Sequence, residues 1–364
     1  MNILLISSDQ SVFREGSDTR IRLKTYAQII GTLHVLCRAP KRIEEQDGPL
    51  VLHGVPASKL LSPFALMSRA HELVLKENIM VVSAQDPFEH GLAALQAVRG
   101  TRAQLHIQVH TDFLSPWYTR TSLLNRVRVL LAAQVLPHAA AVRVVSKRVA
   151  EAVTATYGVR SVAVIPIVTE PAPPTVGMLP TTFAFTLITH CRVEKEKRLG
   201  DVLEALRIAR HTYPDVGLVV VGEGRERRSL ELLSRRLGLT DAVVFLGERS
   251  DARSLLGAAD AYIQASAYEG YGRSLIEAAL AKLPIITTNV GIVDDVLIDT
   301  ESALVASVGD SRRLAEHIGA LRGDEALRES LAARAWQEVA AHLASLGDTK
   351  EAIARDLMHT ARTP

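Results

Sequence analysis

Cysteine is nearly absent: Cys37 and Cys191 are the only two among 364 residues. That excludes a disulfide framework and a cysteine-built zinc site, and it points to a reducing, cytoplasmic compartment. No run of 18 or more apolar residues occurs, so no segment reads as membrane-spanning. The longest apolar stretch, Val127 to Val142, is broken by Arg128, Gln134 and His138. Met1–Ile6 is apolar for only a few residues and lacks a basic leader, which reads as a buried first strand and not a signal peptide. A dominant charge is also missing. Lys and Arg total 42 against 40 for Asp and Glu, a net +2 that excludes a dedicated nucleic-acid binder. Neither a Gly-Lys-Ser/Thr phosphate loop nor a G-x-S-x-G nucleophile elbow is present.

What is present is a soluble composition, 48% hydrophobic and 23% charged, on a chain longer than one hydrophobic core usually supports. Two domains are expected. The charge is unevenly divided: residues 1–170 carry 19 Lys/Arg against 13 Asp/Glu, and residues 171–364 carry 23 against 27. This is either chance surface charge or a first half that faces an anionic membrane or an acidic acceptor.

Short β-branched runs alternate with helical patterns, the signature of an α/β protein with parallel sheets. Strands are expected at Ile3–Ser7, Leu33–Cys37, Met80–Ser83, Leu105–His110, Ala141–Val145 and Val162–Ile165. The alternation restarts with Ala184–Thr189, Gly217–Val221, Ala242–Leu246, Ala261–Gln264, Pro284–Thr287 and Ala303–Val305. Between the halves, Thr169–Thr175 holds three prolines in four residues and reads as an extended linker. From Ala326 onward the pattern is helical. Two doubly wound domains facing each other would place a ligand cleft between the carboxyl ends of their strands.

The most informative segment is Ala267-Tyr268-Glu269-Gly270-Tyr271-Gly272-Arg273-Ser274-Leu275-Ile276-Glu277, a glycine turn between a strand and a helix. Gly270 and Gly272 permit positive φ and close approach to a ligand. The free N–H groups at the helix start suit a phosphate or a sugar. Glu269 and Glu277 bracket the turn. Ser274 and Glu277 also have capping-box spacing, so Glu277 is read either as a cap or as a ligand. In Cys191-Arg192-Val193-Glu194-Lys195-Glu196-Lys197-Arg198, Arg192 and Lys197 either converge on a diphosphate or belong to a solvated charged turn. Gly222 and Gly224 form a tight turn after a strand but lack the third glycine of a dinucleotide fingerprint. His110 ends a strand in the first half, as a structural residue or a ligand contact, and Gly16 lies in the loop after the first strand.

In this order the motifs resemble the retaining glycosyltransferases of family 4, with the GT-B fold of two Rossmann-like domains. The resemblance is strongest over residues 184–310, and Glu269 to Glu277, an E-x7-E element, is its most specific part. It implies an N-terminal acceptor domain over 1–174 and a donor domain over 175–347. The last helix, about 348–364, would cross back onto the first domain. It implies a role in polysaccharide or glycoconjugate biosynthesis, with a UDP- or GDP-sugar as donor and a glycan or lipid-linked acceptor, no cofactor and no metal. Arg192 and Lys197 would hold the diphosphate, Glu269 and His110 would contact the sugar, and Glu277 would bond the ribose. Backbone groups of Gly270, Tyr271, Gly272 and Arg273 would hold sugar hydroxyls, those of Ser274 and Leu275 the phosphate. Gly16 would give the diphosphate and acceptor room, and Gly222 and Gly224 would border the nucleotide.

Two fixed cations can offset the charge of a departing diphosphate in place of a metal ion, in keeping with the absence of a D-x-D motif. The chain departs from the family at His190 and Cys191, where glycine often precedes the arginine, at Arg198, and at the single Gly16. Rival readings are a GT-B sugar-nucleotide epimerase, a non-catalytic sugar-nucleotide binding subunit and, more remotely, a dehydrogenase. The basic, amphipathic stretch Arg120–Leu131 either lies at the inner membrane face or packs Leu124, Val127 and Leu131 into the domain core.

Overall fold

The computed structural model describes residues 1–58, 61–168, 177–181 and 183–362. It divides into two compact units, Met1–Ile167 with Asp348–Pro364, and Val168–Gly347. The proline-rich stretch 169–175, expected as a linker, lies outside the described residues.

The first unit runs β1 (Asn2–Ser7), α1 (Asp18–Ile30), β2 (Thr32–Ala39), β3 (Ile43–Asp47), β4 (Leu50–Pro56), α2 (Ser62–Lys76) and β5 (Val81–Ala84). It continues through α3 (Glu89–Val98), β6 (Gln104–Val109), α4 (Pro116–Thr121), α5 (Leu123–Val135), β7 (Ala141–Val144), α6 (Lys147–Tyr157) and β8 (Val162–Val164). The sheet order is β3-β4-β2-β1-β5-β6-β7-β8. Ile3, Leu4, Leu5 and Ile6 are all buried, because helices cover both faces of a parallel sheet. That is why β1 reads as a continuous apolar run.

The sequence reading placed no strand between Cys37 and Met80, yet β3 and β4 form an antiparallel pair at the sheet edge. β3 is Ile-Glu-Glu-Gln-Asp, too acidic to show β-propensity. Its carboxylates are used against α1. Arg20 reaches Glu45 at 2.5 Å and Asp47 at 3.1 Å, and Lys24 reaches Asp47 at 2.5 Å.

The second unit runs β9 (Phe185–His190), α7 (Leu199–Ala209), β10 (Val216–Val221), α8 (Arg227–Arg236), β11 (Val243–Gly247), α9 (Ala252–Leu256) and β12 (Ala261–Ile263). It ends with α10 (Arg273–Leu280), β13 (Ile285–Thr288), β14 (Leu304–Ala306), α11 (Ser311–Gly323) and α12 (Glu325–Leu346). Its strands, ordered β11-β10-β9-β12-β13-β14, all pair in parallel. The last helix, α13 (Thr349–Thr360), belongs to the first unit. It buries Ile353, Ala354 and Leu357 beside Leu23, Tyr26 and Ile30 of α1. Its Asp356 is bridged by His106 (2.9 Å) to Ser83 (2.8 Å) in the sheet.

Candidate functional site

In the second unit the strand order reverses between β9 and β12. Doubly wound sheets bind ligands beyond the carboxyl ends of the strands at such a point. Beyond β12 the chain passes through 264–272 into α10. Gly272, with φ +87°, occupies the left-handed region that glycine tolerates and is the N-cap of α10. Gly270 does not share that conformation, contrary to expectation. Among the described residues no side chain caps the helix. Ser274 lies inside the first turn and donates to Gln264 Oε1 at 2.8 Å, so the capping-box reading of Ser274 and Glu277 is corrected. The start of α10 thus offers the amides of Arg273 and Ser274 and a positive dipole end, while the Leu275 amide donates to the Gly272 carbonyl at 2.9 Å.

Lys197 closes a single 3-10 turn, Lys195–Lys197, that directs its side chain inward. Its Nζ forms an ion pair with Glu269 Oε1, and the two side chains are only 12% and 15% exposed. Ser266 Oγ donates to the same carboxylate oxygen at 2.8 Å. The Ala267 amide donates to the Glu196 carbonyl at 2.7 Å, which locks the two loops together. A buried ion pair needs such extra hydrogen bonds to offset its desolvation.

Arg192 does not join this pair. Its side chain is 76% exposed and among the described residues reaches only Glu196, at 3.4 Å, because it sits at the open start of the turn. Glu277 lies one turn into α10, with Oε2 3.3 Å from His190 Nδ1 at the end of β9. The residue that departs from the family pattern therefore faces the second glutamate of the motif.

Three further residues escaped the sequence reading. Gln264 is 2% exposed and its Oε1 accepts from Ser274 and Tyr262, but its Nε2 has no partner among the described residues. Ser266 orients Glu269. His342 of α12 bonds the Tyr271 hydroxyl at 2.8 Å, and burial raises that phenol above its ordinary range. Single polar residues at strand ends carry no periodic signal, and His342 is 71 residues from its partner.

Gly222 and Gly224 are required by the protein itself. A Cβ at Gly222 would meet the Cys191 carbonyl at 1.9 Å, and one at Gly224 the Val193 carbonyl at 2.1 Å. These glycines let the β10 turn pack against the turn that carries Arg192. Burial pushes the Cys191 thiol up to about 11 and that of Cys37 up to about 12, so neither is a nucleophile at neutral pH.

In the first unit, His110 follows β6. Burial, then the nearby Arg143 charge, push its imidazole down to about 3, so it is neutral. Gly16 has φ +72° and open space around it, in a cavity of about 400 Å³ bounded by Ser11, Arg14 and Ser17. Among the described residues no helix is long and apolar enough to cross a membrane. On α5, Leu124 and Val127 are 53% and 49% exposed, and Leu123 and Leu130 are more so. The reading that packs Leu124 and Val127 into the core is corrected: α5 turns Asn125, Ala132 and Val135 inward.

Two family profiles match the chain, "Glycosyl transferases group 1" over residues 184–338 and "Glycosyltransferase Family 4" over residues 31–168. The lipopolysaccharide core biosynthesis glycosyltransferase LpsD of Rhizobium meliloti is 34% identical over 166 residues, 45% of this chain and 47% of that protein. The N-acetyl-alpha-D-glucosaminyl L-malate synthase of Bacillus anthracis is 32% identical over 154 residues, 42% and 40% of the two chains. The matched segment thus spans less than half the length of these relatives. Among solved structures, sucrose-phosphate synthase of Thermosynechococcus elongatus superposes with a TM-score of 0.76 at 18% identity, covering 94% of each chain. HepE of Anabaena, solved with UDP and glucose, gives 0.72 at 21% identity, covering 99% of this chain and 100% of that one. These likenesses show the fold, two α/β domains of the GT-B kind.

Proposed function

Because the chain belongs to the glycosyl transferases group 1 family, we propose that it moves a sugar from a nucleoside-diphosphate sugar to an acceptor hydroxyl. The observation that carries this reading is the buried Lys197–Glu269 pair held beside the uncapped start of α10. Together they offer an ammonium and free amides to one diphosphate, and a carboxylate to the sugar attached to it.

Lys197 has three donor hydrogens, and Glu269 takes one, which leaves the others for a phosphate oxygen. As the anomeric C–O bond breaks, negative charge builds on the departing diphosphate and positive charge on the sugar ring. Lys197 and the α10 amides stabilise the first, and Glu269 stabilises the second. Arg192, exposed and lightly tethered, swings onto the diphosphate from the solvent side. Glu277, beside His190, receives the ribose hydroxyls. Lys197, held in place, and Arg192, brought in from solvent, perform the task of a metal ion, so the reaction proceeds without one. The acceptor attacks on the face from which the diphosphate leaves, a phosphate oxygen takes its proton, and the anomeric configuration is retained. His110, neutral at physiological pH, contacts the sugar as a hydrogen-bonding partner.

The donor is a uridine or guanosine diphosphate sugar, and the UDP bound by HepE supports the first. The acceptor is a glycan or lipid-linked hydroxyl, as the lipopolysaccharide relative supports. The exposed Leu123, Leu124, Val127 and Leu130 beside Arg120 and Arg126 support peripheral contact with an anionic membrane at its cytoplasmic face. Thermal-shift screening against uridine, guanosine and adenosine diphosphate sugars tests the donor, whose binding raises the midpoint. Turnover of nucleotide sugar to an epimer without acceptor would instead identify an epimerase.

A further inference from the structure

In the first unit the strand order reverses between β1 and β5, the counterpart of the reversal that builds the donor site. A cavity of about 350 Å³ opens there, lined by Ser7 and Ser8 after β1, Arg38 at the end of β2, and Asp86 and His90 after β5. Its two carboxylates are committed to the protein. Glu89 is held by Arg128 Nε, at 3.0 and 3.2 Å to its two oxygens. Asp86 accepts from the His90 ring through Oδ2 and from the Phe88 and His90 amides, at 2.8 and 3.3 Å, through Oδ1. Arg38 has no hydrogen-bond or ion-pair partner among the described residues and is partly exposed. The pocket therefore holds one uncompensated guanidinium and a ring whose Nδ1 is fixed by Asp86.

We propose that this pocket binds a phosphate ester carried by the acceptor, with Arg38 as its principal ligand and His90 as a second donor. This rests on the transferase reading, because the occupant is the acceptor. A guanidinium matches the geometry of phosphate oxygens and an uncharged sugar would leave its charge unmet. The Asp86 hydrogen bond keeps the His90 imidazole above its ordinary range, against the opposing effect of burial, which favours the donor form; Glu89 and Arg128 also face this ring. Leu66 and Pro63 supply an apolar wall. The cavity lies between α2 and α5, whose exposed Phe64, Leu124 and Leu130 would meet the acyl side of a lipid phosphate.

The test uses the full chain, Arg38→Ala and Arg38→Lys, titrated with glycerol 1-phosphate and, separately, floated with phosphatidylglycerol vesicles diluted in phosphatidylcholine. Binding of either probe should fall at least 10-fold in R38A and less in R38K, with unchanged thermal midpoints. Arg38-dependent binding of glycerol 1-phosphate identifies a soluble phosphate ester. Arg38-dependent binding of the vesicles alone identifies a lipid headgroup. Both support the pocket. Equal binding by R38A and the unsubstituted chain, or no binding of either probe by a chain that binds UDP, overturns it and leaves the donor reading intact. Arg38-dependent phosphate binding by a chain that binds no nucleoside diphosphate keeps the phosphate site and overturns the donor reading.

Discussion

Replacing Lys197 by alanine separates its observed ion pair with Glu269 from the diphosphate contact proposed for it. In the absence of ligand, Lys197 is the charged partner of Glu269, and Ser266 alone would then satisfy that carboxylate. Removing one partner of a buried pair costs about 3–5 kcal/mol, mostly the penalty of the charge left behind. Toward the donor, K197A removes a charged hydrogen bond worth about 1.5–3 kcal/mol, or a roughly 10- to 150-fold weaker Kd for nucleoside diphosphate. A cycle with E269A resolves the two. The double variant leaves no orphaned charge, so it should regain most of the stability that K197A loses while binding stays weak. Affinity is read by calorimetry. Stability of the second unit is read by urea titration in a Trp117→Phe background, where Trp336 on α12 is the only tryptophan. Unchanged affinity in K197A would refute the diphosphate role. Equal destabilisation in K197A and the double variant would refute the buried pair.

Acid should weaken the first unit through His34 and His53, buried side by side with ring nitrogens 3.1 Å apart. Burial, then the His53 charge, push His34 down to about 4. Its neutral form is the native one, so its contribution is intact above the ordinary value of 6.5 and is lost as pH falls from there toward 4. Between pH 6.5 and 5 that is about 2 kcal/mol, and His34→Gln should flatten the urea-midpoint profile; parallel profiles would contradict this. Gly222→Ala would force a Cβ against the Cys191 carbonyl at φ +134°. It should cost at least about 1–3 kcal/mol and disturb the Arg192 turn, and a fully stable variant would show that the turn shifts freely. Tyr271→Phe loses the bond to His342 and should destabilise the second unit by about 1 kcal/mol while raising the KM for donor. An unchanged KM would remove any link between α12 and the glycine turn.

The fold was legible because both sheets, apart from the β3–β4 edge, are parallel and covered on both faces, which writes each strand as an apolar run separated by helical periodicity. All six strands expected in the second half are present. The antiparallel β3–β4 pair was not legible, since Glu44, Glu45 and Asp47 answer basic partners on α1 and α2 and not a strand pattern. At the candidate site, spacing singled out the glycine turn, Lys197 and the two glutamates, which lie on contiguous segments, and the fold pairs Lys197 with Glu269. Spacing did not separate Arg192 from Lys197, which depends on a single 3-10 turn, nor show that Gly272 and not Ser274 starts α10. Gln264, Ser266 and His342 act through contacts that only the folded chain brings about. For α5, amphipathic spacing alone left open whether its apolar face points inward, and that depended on where Asn125 and Val135 dock.

The most direct test of the account is calorimetric titration of the intact chain with UDP and GDP in the presence of a chelator. One-to-one binding of at least one of them, without metal and weakened at least 10-fold by Lys197→Ala, is the predicted result. Failure to bind any nucleoside diphosphate, or binding only when Mn²⁺ is supplied, would contradict it.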